Sequence, residues 1–203
     1  MTSQDRFTAR QMTEEEIAKK ALFYRSKFGA TDELCINIIE ILEFQVREFV
    51  PEFKLMIRRD IELETTATTI FDPPRILVRE TIYDAACEGD VDARRILAHE
   101  LGHLLLHSHI GSPLQRDPGG YTPQFRGLTR RESTEAQADS FACHFLIHPR
   151  IAYERRHDVI GLSNDTKTPL PTASDAIRIA KRQEMISVRT RRRSHIPLDA
   201  LSS

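Results

Sequence analysis

Four of the eight histidines, His99, His103, His107 and His109, fall within "AHELGHLLLHSH", together with Glu100. Four residues along an α-helix turn through about 400° and rise about 6 Å, so His99 and His103 stand one above the other on a single face. Two imidazoles in that relation supply half of a tetrahedral zinc site. Glu100 is the next residue round the helix, near enough to reach water at such a site without ligating the ion, which is the position of a general base. Zn²⁺ would lower the pKa of a bound water toward about 7 and polarise a carbonyl. The chemistry that this spacing points to is peptide hydrolysis. Gly102 in mid-helix costs about 1 kcal/mol relative to alanine, and close approach of another backbone would account for it.

A catalytic zinc takes a third protein ligand and keeps a fourth position open. His109 lies six residues beyond His103, as in H-E-x-x-H-x-x-G-x-x-H peptidases, but Leu106 occupies the position where those need glycine to turn the chain. His107 continues the helix face yet lies about 12 Å of rise from His99, too far to share one ion, and reads as a hydrogen-bonded flank. A carboxylate from the next helix remains. In "RESTEAQAD", Glu135 and Asp139 are four apart, so one can ligate while the other accepts an N–H from a ligand histidine. Glu132 lies on nearly the same face, and spacing alone does not separate it from Glu135.

These residues need elements to hold them. "TEEEIAKKALFYRSKFG" carries an N-cap at Thr13, acids in its first turn and a closing Gly29, which predicts a helix over 13–28. A second helix is expected from Thr31, with Leu34, Ile38, Ile41, Leu42 and Phe49 on its core face, stopping at Pro51. "FKLMIRR", "ETTATTIF" and "RILVRE" read as three short strands of an antiparallel or mixed sheet. The motif helix is expected from Asp90 or Val91 to Gly111. A glycine- and proline-rich loop over 112–131 follows, then a helix ending before Pro149 with Ala136, Phe141, Ala142 and Phe145 as its apolar positions. "GLSNDTKTPLPT" reads as a connection, and a basic helix is expected from an N-cap at Ser174. The architecture expected is α+β: a metallopeptidase domain over 1–160 and a basic helical appendage over 161–203.

The 203 residues carry a formal net charge of −1, so no global field favours nucleic acid or an anionic membrane. Residues 175–203 nonetheless hold seven Lys/Arg against three acids, and "RIAKRQEMISVRTRRR", ending in Arg191, Arg192 and Arg193, could contact phosphates. That leaves a DNA-binding or partner module with a vestigial metal as the rival to an enzyme. The sequence lacks a membrane-length apolar run and a secretory h-region, which makes the cytoplasm the expected location. Cys35, Cys87 and Cys143, odd in number and each in apolar context, read as reduced core thiols.

"AHELGHLLLHS", followed by a loop and "EAQADSFACHFLIHP", resembles the ImmA/IrrE family of zinc metallopeptidases over about residues 50–150. The resemblance implies a zincin-like fold, His99, His103 and Glu135 as Zn²⁺ ligands, Glu100 as base and Asp139 behind a ligand. It also implies a regulatory endopeptidase whose substrate is a protein partner such as a helix-turn-helix repressor. His148 intervenes between Ile147 and Pro149, where family members run directly into proline, which puts the end of that helix in question. An exposed strand edge beside the motif helix would bind extended substrate, with "RILVRE" as the candidate strand. Tyr121, His144 or His148 would supply an oxyanion donor.

Overall fold

A computed structural model describes residues 11–107 and 133–193, with side chains to residue 184. Glu132, His109, Tyr121, the 112–131 loop, the expected helix end at Gly111 and the side chains of Arg191, Arg192 and Arg193 lie outside the described residues.

The chain is α+β. Helix α1 (Glu14–Lys27) opens with a full capping box: the Thr13 hydroxyl accepts from Glu16 N, and the Glu16 carboxylate accepts from Thr13 N. Gly29 follows at φ 69°. Three strands form a mixed sheet in the order β1-β3-β2. β1 (Lys54–Arg58) runs parallel to β3 (Pro74–Arg79), and β2 (Ala67–Phe71) runs antiparallel to β3. Among the described residues β3 therefore takes the middle of the sheet, bonded on both sides, and β2 forms one edge.

Helix α4 (Val91–His107) packs on β2 and β3 with one side and on α5 (Thr134–Leu146) with another. Leu97, Leu101 and Leu104 of α4 and Phe141 and Phe145 of α5 are wholly buried, in one core cluster with Ile76 and Val78 of β3. Each such side chain contributes about 1.5–3 kcal/mol by leaving water. At Gly102 the helices come so close that a β-carbon would stand 3.1 Å from Phe141 Cδ1 and 3.2 Å from the Ala138 carbonyl oxygen. That meets the expectation that this glycine admits a neighbouring backbone.

The second helix departs from expectation. Residues 31–37 are not helical. Helix α2 (Ile38–Glu40) starts at an Asn37 cap and continues as a π turn over Ile41–Gln45 and a 3-10 turn over Val46–Glu48. Two buried guanidiniums explain the loss, because they take the carbonyls that a helix over 31–37 would use. Arg25 donates to Glu33 O, and Arg94 to Ile36 O at 2.7 Å. Leu34 and Phe49, expected in the core, are exposed, whereas Ile38, Ile41 and Leu42 are buried.

Three further helices were not expected: α3 (Glu80–Cys87), α6 (Pro149–Glu154) and α7 (Val159–Thr166). α7 occupies much of the stretch that reads as a connection, capped by Asp158 Oδ1 accepting from Gly161 N at 2.8 Å. His148 is the N-cap of α6, its Nδ1 accepting from Arg150 N, which settles the question about the end of α5. α8 (Leu170–Arg193) begins four residues before Ser174 and adds Ala173, Ala176, Ile177 and Ala180 to the core cluster. All three cysteines are free, but only Cys143 is buried; Cys35 and Cys87 are exposed, so two of the expected core thiols are surface thiols.

Substituting Gly102→Leu drives a side chain into the α5 backbone. The expected loss is about 1–3 kcal/mol of stability, read as a lower urea midpoint; an unchanged midpoint would show that α4 and α5 separate at little cost.

Candidate metal centre

The three residues expected to ligate converge. His99 Nε2 and His103 Nε2 are 3.0 Å apart; Glu135 Oε2 is 3.3 Å from the first and Glu135 Oε1 3.4 Å from the second. Bonds of 2.0–2.2 Å to a tetrahedral ion place its ligands about 3.3–3.6 Å apart. The donor set therefore fits one divalent ion with little movement, and among the described residues these three form the cluster able to hold one. The histidine side chains retain 16% and 13% of their exposure and Glu135 45%.

α4 and α5 divide the work by geometry. The stacked imidazoles come from the i, i+4 spacing on α4, and Glu135 from the first turn of α5, where the Ser133 hydroxyl accepts from Ala136 N and fixes the helix start. Asp139, one turn on, accepts from His99 Nδ1 at 2.9 Å. The same oxygen accepts from Arg95, also at 2.9 Å. With Nδ1 donating to Asp139, it is Nε2 that gives up its proton to an incoming ion, the tautomer that a ligand needs.

Glu100 meets the sheet. Its carboxylate is buried, and Oε2 accepts from the Thr69 hydroxyl at 2.7 Å. Thr69 lies on β2, so the edge strand touches the candidate base directly. Its hydroxyl is also 3.0 Å from the Glu100 carbonyl. Sequence reasoning missed Thr69, since nothing in "ATTIF" says whether Thr68 or Thr69 faces the motif helix.

"RILVRE" is corrected as the substrate-binding edge. β3 already spends its backbone groups on β1 and β2, so β2 is the edge beside α4. Two of the three candidate oxyanion donors are engaged elsewhere: His144 Nε2 donates to Glu14 on α1 at 2.8 Å, and His148 caps α6. His107 is wholly buried and hydrogen-bonded, as a flanking residue was expected to be.

In the metal-free cluster the imidazoles and carboxylates stabilise one another's charged forms. Burial alone would lower the pKa of His99, but its hydrogen bonds to Asp139 and Glu135 prevail and raise it to about 9. Hydrogen bonds from His103 and His99 hold Glu135 well below the usual carboxylate range against the opposing effect of burial. Burial also opposes ionisation of Asp139, and its bonds from His99 and Arg95 outweigh that and lower it.

Comparison with protein-family profiles, with curated proteins and with solved structures returns no match.

A group whose folded pKa is raised stabilises fully below its unfolded value and ceases to do so above its folded value. For His99 that window runs from 6.5 up to about 9. Metal-free protein should therefore lose thermal stability as pH rises through this window. A midpoint that stays level across it would contradict the ion pairing described.

Proposed function

We propose that the chain is a zinc-dependent endopeptidase with a zincin-like catalytic domain, related to the ImmA/IrrE metallopeptidases and acting on a protein partner. The observation that carries this reading is that Glu100, the residue after His99 of the His99–His103–Glu135 donor set, is buried with its carboxylate held by Thr69 of an edge strand. A structural cluster would need the three donors but not a buried, oriented carboxylate next to them.

When bound, Zn²⁺ supplies Lewis acidity at a scissile carbonyl and makes water easier to deprotonate. Glu100 accepts the proton of the attacking water and passes it to the leaving nitrogen. With Oε2 held by the Thr69 hydroxyl, the other carboxylate oxygen carries that transfer. Asp139, through His99 Nδ1, keeps the ring turned toward the ion. An extended substrate would pair with the edge of β2, which brings its backbone past Thr69 and Glu100. A helix-turn-helix repressor in the cytoplasm is the substrate that the family resemblance favours. Among the described residues no helix is long and apolar enough to cross a membrane.

Glu100→Gln should retain stoichiometric zinc and lose cleavage of the partner by at least about a hundredfold, whereas Glu135→Ala should lose the zinc itself. Zinc analysis beside a cleavage assay reads both; full cleavage by Glu100→Gln would remove Glu100 as the base, and wild-type protein that binds zinc yet leaves the partner uncut would rule out the enzyme reading. Thr69→Val removes the bond to the base and keeps the shape of the side chain. The expected result is about a tenfold lower kcat with zinc content unchanged, and an unaltered kcat would remove Thr69 from the machinery.

A further inference from the structure

We propose that His107 and Gln137 form a buried relay that fixes the tautomer and ring orientation of His103, as Asp139 does for His99. This inference rests on the metal reading of the cluster and assigns His107 and Gln137 as positioning residues within it.

The geometry is a chain of two bonds. His103 Nδ1 lies 3.3 Å from His107 Nδ1, and His107 Nε2 lies 3.0 Å from Gln137 Oε1. The rings of His103 and His107 are 5.3 Å apart between centroids, one turn apart on α4. His107 keeps 1% of its exposure and Gln137 none. Two polar side chains placed this deep cost free energy unless their hydrogen bonds are made in one arrangement.

Proton counting selects that arrangement. A neutral imidazole carries one N–H. For His103 Nε2 to offer a lone pair to an ion, its proton must sit on Nδ1, where it is donated to His107 Nδ1. His107 must then present a lone pair at Nδ1 and hold its own proton on Nε2. That proton points at Gln137 Oε1, which can only accept. Both links of the chain then run from donor to acceptor, and the opposite order fails at the glutamine oxygen.

Gln137 stands two residues after Glu135 on α5. One helix therefore supplies the third donor and, on a face turned into the core, the terminus that orients the second. The two histidine ligands are held by unlike partners: His99 by a carboxylate that Arg95 shares, His103 by a neutral chain. A carboxylate behind a ligand raises its basicity more than a neutral acceptor does, so His99 is the stronger donor and His103 depends on the relay for orientation.

The test uses the full-length protein and Zn²⁺ in competition with a chromophoric chelator. His107→Phe and Gln137→Met keep the volume of each side chain and remove the relay. Each should weaken zinc binding about 10–100-fold, while Gln137→Glu, which retains an acceptor oxygen, should restore affinity to within a few-fold of wild type. Nitrogen chemical shifts of the zinc-loaded wild type should place the His107 proton on Nε2. His107 protonated on Nδ1 would overturn the relay, as would Gln137→Met binding zinc as tightly as wild type. Should His107→Phe fail to fold, Gln137→Met and the wild-type tautomer decide the matter. Wild-type protein that takes up no zinc would defeat the metal reading and the relay together, whereas tight wild-type binding unaffected by the variants defeats the relay alone.

Discussion

The approach of α4 to α5 at Gly102 is the constraint on which the rest depends. The donor set is split between these helices, and an ion with bonds near 2 Å tolerates little drift between them. Stacked leucines and phenylalanines hold the helices together, and the missing β-carbon sets how closely they lie. A β-carbon at position 102 would already require Phe141 or the Ala138 backbone to give by a few tenths of an ångström, and a side chain as large as leucine would force the helices apart.

Because α4 lies between α5 and the sheet, its neighbouring residues serve different partners. His99 and His103 face α5; Glu100, about 100° further round, faces β2. A single turn of helix thus carries, on two different faces, what would grip an ion and what would move a proton. The polar contacts that orient these groups come from elements already required for packing: Asp139 and Gln137 from α5, Thr69 from the edge strand.

Much of this was legible in the sequence wherever the signal is local. The i, i+4 histidines, the intervening glutamate and the Glu135–Asp139 spacing depend on helix periodicity alone, and the three strands follow from alternation. Failures came where distant groups intervene. Nothing within 31–37 announces that Arg25 and Arg94 will take its carbonyls, so a good helical pattern became irregular. Strand order was likewise hidden, because a parallel pairing of β1 with β3 puts the last strand in the middle and moves the usable edge to β2. Thr69 and Gln137 carried no signal, since each gains its role only from what another element sets opposite it.

Arg25 is wholly buried in α1 and donates to the carbonyl oxygens of Phe145 and Leu146, 120 and 121 residues away. Those acceptors belong to the last turn of α5, where a helix has no intrahelical donors left. The first helix thus finishes the fifth. A fragment begun at β1 would retain every donor of the cluster and still leave the far end of α5 frayed, so the part that bears the site cannot be trimmed to the strands and the two helices that carry the motif.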